Sequence, residues 1–255
     1  MIAIETERRQ TESENSLAWC EHFGSYASRQ RAIPWDQAIL LTEMQRRILL
    51  PSLQDFQLGE SSEGRHGMAR AEVYGDRIGD PHYVHAIRLF FAEENRHADY
   101  LARYLRLHGV EPIRRSWTDF VFRRVRRLLG LEVLLTVLLT AELIGEVYYR
   151  AIRSATCCPT LRGVCMQLLS DERMHVRFHI ERFRFLRKGR GPVRRAVQDT
   201  LWQVLFAATR VAVWAKHRQA IRLGGRSFGR FWSEAGRGLR QAIVEINARS
   251  DACRM

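Results

Sequence analysis

Apolar residues recur every three or four positions through most of the chain, and alternation of strand type is nowhere sustained. This pattern predicts an all-α protein. A first helix over 36–58 takes its apolar face from Ile39, Leu40, Met44, Ile48 and Leu49. A second, over 81–108, starts at Gly79-Asp80-Pro81 and stops at the run Gly109 to Pro112, since proline suits a first helical turn and glycine a helix end. The third spans 129–154. The break Cys157-Cys158-Pro159 separates it from a fourth over 160–188. Beyond the run Gly189 to Pro192 lies a C-terminal pair, 193–222 and 227–247, joined at Gly224-Gly225. Residues 68–78 read as a short helix and Gly59 to Gly67 as a loop. The plan is an N-terminal segment (1–34) that is irregular or frayed helix, a bundle (35–188) and a helical extension (189–255) packing on the bundle.

Two strings place chemistry on this scaffold. Glu93-Glu94-Asn95-Arg96-His97 and Asp171-Glu172-Arg173-Met174-His175 each hold Glu-x-x-His with an acid before the Glu. On a helix, i and i+3 share a face, so each Glu and its His can reach one metal together. Two such motifs, with one further Glu from each of two other helices, make the ligand set of a dinuclear iron site in a four-helix bundle. Glu43 and Glu142 supply the lone glutamates in the order Glu, Glu-x-x-His, Glu, Glu-x-x-His. The expected metal ligands are therefore Glu43, Glu94, His97, Glu142, Glu172 and His175, with Glu94 and Glu172 as bridges. Carboxylate oxygens suit iron in its ferric state and imidazole completes each sphere, so two iron ions (Fe2+/Fe3+) are the expected cofactor. A metal-bound His is usually oriented by an acceptor on its other nitrogen. The preceding acids fill that role crosswise, Asp171 on His97 and Glu93 on His175. The connection 113–128, with helical character, is the long helix 2–3 crossover of a ferritin-like four-helix bundle, to which the C-terminal pair adds two helices.

Charge and cysteine content narrow the setting. The net charge is +13, concentrated at Arg123 to Arg127, at Arg182 to Arg195 and through the C-terminal helices. Such a surface is either simply solvated or steers an acidic partner. No nucleic-acid recognition motif accompanies it. The five cysteines are odd in number and form no CxxC pair, which fits free thiols in a reducing cytoplasm. Met1 to Gln30 lacks an apolar leader core. The most apolar stretch, Leu128 to Ile144, is short and carries two glutamates, so no membrane span is expected.

The string Ala92-Glu93-Glu94-Asn95-Arg96-His97-Ala98-Asp99-Tyr100-Leu101 resembles the helix 2 motif of soluble acyl-carrier-protein desaturases, and Asp171-Glu172-Arg173-Met174-His175 is similar to their helix 4 motif. The likeness covers roughly 35–188 in architecture, but in close wording only these strings. It implies a ferritin-like diiron enzyme that activates O2 against unactivated C–H bonds and draws electrons from an external donor of the ferredoxin kind. It also implies a carrier-bound acyl substrate, whose acidic carrier would suit the basic surface. Two departures stand out. Gly145 occupies the position three after the helix 3 glutamate, where the desaturases have threonine. Glu146 lies one turn beyond Glu142, as a seventh ligand, a replacement for Glu142, a proton carrier or a surface residue; the added carboxylate resembles that of rubrerythrin-like peroxidases. Glu146, Asp171 and Glu93 are thus the expected catalytic residues around the ligands. His179, one turn after His175, reads as a buried, hydrogen-bonded histidine or as a ligand or proton relay. Tyr148, Tyr149, Phe90 and Phe91 are either core or the wall of a substrate channel.

The expected function is a non-heme diiron oxidoreductase that desaturates or hydroxylates an organic substrate. Alternatives are an N-oxygenase of an amine and a ferroxidase or peroxidase-type iron protein. Expected partners are a small-molecule or carrier-bound substrate and an acidic carrier protein or ferredoxin, and a homodimer is compatible with the reading.

Overall fold

In the computed structural model the described residues are 2–37, 41–61, 64–116 and 130–248. Every regular element among them is a helix: α1 (Ile2–Gly24), α2 (Tyr26–Arg29), α3 (Glu43–Glu60), α4 (Arg65–Ile78), α5 (Pro81–Leu107), α6 (Leu131–Ser154), α7 (Pro159–Arg187), α8 (Pro192–Leu223) and α9 (Phe228–Asn247). Helix α3 packs on α5, α6 packs on α7, and contact between α5 and α7 closes a bundle of these four. No helix among the described residues is long and apolar enough to cross a membrane. The expected crossover falls largely on 117–129, which lies outside the described residues together with the Arg123 to Arg127 cluster.

Local chemistry sets the ends of the elements. Thr42 caps α3 by accepting from the Gln45 backbone N–H, and the Gln45 side chain accepts from Thr42 N–H. This reciprocal box starts the helix at Glu43, seven residues later than the periodicity suggested. Met44, expected on the apolar face, is 58 % exposed, whereas Leu49 and Leu53 are fully buried. Asp80 caps α5 through the Tyr83 N–H, ahead of Pro81 at the first helical position.

The N-terminal segment corrects the sequence expectation. Residues 2–24 form a full helix lying along α5. Few of its residues are apolar, so its periodicity is faint. Trp19 and Phe23 pack against Phe178 with ring centroids 5.3 Å away in both cases. Glu181 accepts from Asn15 Nδ2 at 2.7 Å and from Trp19 Nε1 at 2.8 Å. Deeper in, Ser16 Oγ donates to Asp80 Oδ2 and accepts from Arg182, both at 2.6 Å. Specific polar partners bind this helix as much as an apolar stripe does.

The C-terminal pair packs directly on the bundle. Helix α8 lies on α6 and α3, and α9 lies on α6, α7 and α8. Trp202 is buried and its indole N–H donates to Thr140 Oγ1 at 2.9 Å. At the α8–α9 turn Gly224 is required by space: a Cβ there would fall 2.1 Å from the Ala151 carbonyl oxygen. The helix-like spacing of Trp202, Phe206, Trp214, Phe228 and Trp232 reads as core; Trp202 and Phe206 are buried and Trp214 and Trp232 half-buried, but Phe228 is 45 % exposed.

Candidate metal centre

The two Glu-x-x-His motifs face each other where α5 meets α7. Glu94, His97, Glu172 and His175 are all buried and offer ligand atoms lying within 4.8 Å of one another. His175 Nδ1 lies 3.0 Å from Glu94 Oε1, 3.6 Å from Glu172 Oε2 and 3.7 Å from Glu142 Oε2. His97 Nδ1 lies 3.6 Å from Glu94 Oε1, 3.8 Å from Glu172 Oε1 and 4.0 Å from Glu60 Oε2. Both rings therefore turn Nδ1 into one nest of carboxylates. Their Nε2 atoms point the other way, His97 to Asp171 Oδ2 and His175 to Glu93 Oε2, each at 3.1 Å. Gln167 Nε2 holds Asp171 from behind at 2.8 Å and 3.0 Å. Arg29 and Arg96 approach Glu93 at 3.6 Å and 3.8 Å.

The structure brings five of the six expected ligand residues together and leaves Glu43 apart. Glu43, at the start of α3, has a side chain 70 % exposed and pairs with Arg47 one turn on. Glu60, the last residue of the same helix, takes its place beside Glu94, Glu142 and Glu172. Seventeen residues of helix separate the two, about 25 Å of rise, so Glu43 cannot reach the nest. The sequence reading assigned Glu60 to the glycine- and serine-rich loop and passed over it. A usable signal was spacing: 30 residues separate Glu142 from Glu172, 34 separate Glu60 from Glu94, and 51 separate Glu43 from Glu94. A carboxylate at a helix C-terminus is also unfavourable by itself. Its carboxylate is nonetheless held largely out of solvent there, 11 % exposed and accepting from the Tyr149 hydroxyl.

Glu146 is not a member of the nest. Its carboxylate is gripped by the Arg150 guanidinium, with Arg173 Nε at 3.8 Å, and is 20 % exposed. A step of four residues overshoots a helical turn by about 40°. That offset, with two guanidinium groups to answer its charge, turns Glu146 aside from the metal-facing line of Glu142. His179 is buried, but both ring nitrogens lack hydrogen bonds, with Nε2 3.9 Å from Glu142 Oε1. Burial, together with the charge of His175, holds it neutral, pushed down to about 3.

The electrostatics of the nest call for a cation. Glu94 Oε1, Glu172 Oε2, His97 Nδ1 and His175 Nδ1 are buried without hydrogen-bond partners. Burial and the charges of Glu94 and Glu172 push Glu60 well above the usual carboxylate range. Burial alone would lower both histidines, but neighbouring carboxylates override it. The Asp171 bond and the charges of Glu94, Glu172 and Glu60 bring His97 up to about 9, and the close carboxylates of Glu172, Glu93 and Glu94 lift His175 well above 6.5. Buried charges of one sign persist only when paired. Protons on the histidines supply positive charge in the bare protein. A metal ion, taking both Nδ1 atoms and the carboxylate oxygens, would replace it, and this donor set of oxygens and imidazole nitrogens fits such an ion.

A cavity of about 150 Å³ opens on the carboxylate side of the nest. Glu60, Glu94, Glu142 and Glu172 form its floor, while Phe56, Phe91, Val137, Leu138, Ile144 and Val213 form apolar walls. Gly145 lines it as well, and the missing side chain leaves room there. Of the aromatic residues considered for a channel, only Phe91 lines this cavity. Phe90 packs edge-on to His175 and His179, Tyr148 stacks on Phe56, and Tyr149 bonds to Glu60. His217 and Thr209 of α8 also reach the cavity, so the C-terminal extension helps to build it, which the sequence reading did not foresee.

Comparison with protein-family models, with curated proteins and with solved structures finds no match for this chain.

Proposed function

We propose that the protein is a dinuclear iron oxidase that uses dioxygen to oxidise a small organic substrate. The observation that carries this reading is the pair of buried imidazoles, each anchored at Nε2 by an acid and turned at Nδ1 into a shared nest of four glutamates. Glu60, Glu94, His97, Glu142, Glu172 and His175 are the proposed ligands in a ferritin-like arrangement. Four carboxylates balance two divalent cations, and among the described residues no lysine or arginine bridges them. When bound, a pair of iron ions supplies the redox chemistry for attack on an unactivated bond. The protein's own part is to keep the nest dry, fix both ring orientations through Asp171 and Glu93, and present one apolar wall.

The cavity favours substrate oxidation over iron storage. Its walls are mostly apolar, with a few polar groups, and its floor is the carboxylate nest, the arrangement of a ligand site beside a reactive centre. A void of this size accepts a molecule about as large as benzene. A small substrate, or the end of a longer carrier-bound one, fits it. A substrate supplies only half of the electrons that reduce dioxygen to water, so an external donor must supply the rest. An acidic ferredoxin-like protein would be attracted by the net charge of +13.

Anaerobic loading with Fe(II), then air and reductant with acyl-carrier-bound and arylamine substrates, tests the reading by mass spectrometry. Gain of an oxygen atom or loss of two hydrogens from an organic substrate is the expected result. Oxidation of excess iron to a mineral, with every organic compound unchanged, would point to iron handling instead.

A further inference from the structure

Behind one lining residue of the cavity, His217, a chain of three polar side chains crosses between helices. The Tyr148 hydroxyl lies 2.8 Å from Ser52 Oγ, and Ser52 Oγ lies 2.9 Å from His217 Nδ1. Tyr148 belongs to α6, Ser52 to α3 and His217 to α8. All three are buried, and Tyr148 is fully so. The His217 ring stands edge-on to a stacked pair, with centroids 5.0 Å from Phe56 and 5.6 Å from Tyr148, so its plane is fixed. It is 5 % exposed and lines the cavity.

The direction of the chain follows from proton accounting. Tyr148 has one hydroxyl proton, and its one hydrogen-bond partner among the described residues is Ser52. Were His217 to donate from Nδ1 to Ser52, Ser52 would donate to Tyr148, and the Tyr148 proton would be stranded in a dry core. Buried donors without acceptors are strongly disfavoured. The opposite direction pairs every group inside the chain: Tyr148 donates to Ser52, Ser52 donates to His217 Nδ1, and the one unpaired donor is Nε2–H, on a ring that lines the cavity. Burial keeps the ring neutral, lowered to about 4, so it holds that single proton. Nε2 makes no hydrogen bond to the protein among the described residues.

We propose that His217 Nε2–H is the donor that recognises substrate, and that the cavity selects a small neutral carbonyl compound with its apolar body against the carboxylate nest. A donor requires an acceptor, and a neutral carbonyl is the simplest one that a cavity walled by Phe56, Phe91 and Val213 admits; without metal, Glu94, Glu142 and Glu172 also disfavour an anion. Asp55 is itself engaged by Lys216 Nζ at 2.6 Å, and the Thr209 hydroxyl, the other lining donor, donates to the Leu205 carbonyl at 2.9 Å, which leaves His217 Nε2–H for a ligand. The assignment rests on the oxidase reading for its meaning: a ligand held by His217 shares one cavity with the carboxylate nest.

The test is 19F NMR titration of the full chain with 4-fluoroacetophenone and with 4-fluoro-α-methylstyrene, which has the same shape but a CH2 in place of the oxygen. The ketone should bind about tenfold more tightly, the effect of one neutral hydrogen bond. His217→Phe should erase the preference. Ser52→Ala, which leaves the ring in place, should reduce it and split the imidazole 15N signals that report one Nε2–H tautomer in the parent. Equal affinities in the parent protein, or a preference that survives His217→Phe, would overturn the proposal, as would an Nδ1–H tautomer. Cobalt(II) bound per chain is counted in the same samples. Preference without metal supports the His217 assignment while removing the oxidase reading, and metal without preference does the reverse.

Discussion

His97 Nε2 lies 3.1 Å from Asp171 Oδ2, across the contact between α5 and α7. Asp171 is the residue before the Glu of the other motif, so each motif orients its partner's histidine. Asp171→Asn keeps the shape but removes the charge that holds His97. It should weaken metal binding by roughly 10–100-fold. A cobalt(II) titration followed by absorption checks this, and a parent-like curve would separate Asp171 from the site.

Glu60 and Glu43 make a matched pair of tests at the two ends of one helix. Glu60→Gln should lower metal affinity and disturb the Tyr149 contact. Glu43→Gln should leave binding unchanged and alter stability by less than about 0.5 kcal/mol, as for other exposed substitutions. Isothermal titration of both variants with cobalt(II) distinguishes them. Loss of binding in the Glu43 variant alone would reverse the assignment.

Much of this centre was legible in the sequence because its motifs are local. Glu94 and His97, or Glu172 and His175, need only helical periodicity to share a face, and the acids before them reach the opposite motif once the helices are adjacent. Glu142 followed from its place between the motifs. Glu60 was missed because glycine and serine around it imitate a loop, while α3 runs on to Glu60 before Ser61 caps it. That α1 is a full, docked helix and not irregular or frayed was not legible, because polar contacts to Glu181 and Asp80, invisible in one dimension, hold its buried face. His217 lies on a helix whose packing against α3 and α6 depends on tertiary contacts, and no motif announces it.

Glu146 should be silent toward metal. Its carboxylate is shared between Arg150 and Arg173 in a partly exposed position. Glu146→Gln should keep metal content at the parent value. The loss in stability should be about 0.3–0.5 kcal/mol, typical of an exposed i,i+4 pair. Metal analysis and urea unfolding measure both quantities. A drop in metal content would return Glu146 to the ligand set.

The bare and loaded proteins should respond oppositely to pH. In the metal-free protein His97 sits at about 9, raised from 6.5 by Asp171 and the glutamates against the effect of burial. A raised basic group adds stability that is complete below its unfolded value and is lost as pH rises through its folded value. Metal-free protein should therefore lose stability between about pH 6.5 and 9. Metal must displace the proton, so its affinity should climb across the same interval. Urea midpoints with and without cobalt(II) test the pair of trends. A metal-free midpoint that rises with pH over this interval would contradict the account.

The central claim is two metal ions in one nest, and counting them tests it most directly. Folded protein loaded anaerobically with Fe(II) and passed through a desalting column should carry two irons per chain, and Mössbauer spectra after oxidation should show an exchange-coupled diferric pair. One iron per chain, none, or two uncoupled ferric ions would contradict the account.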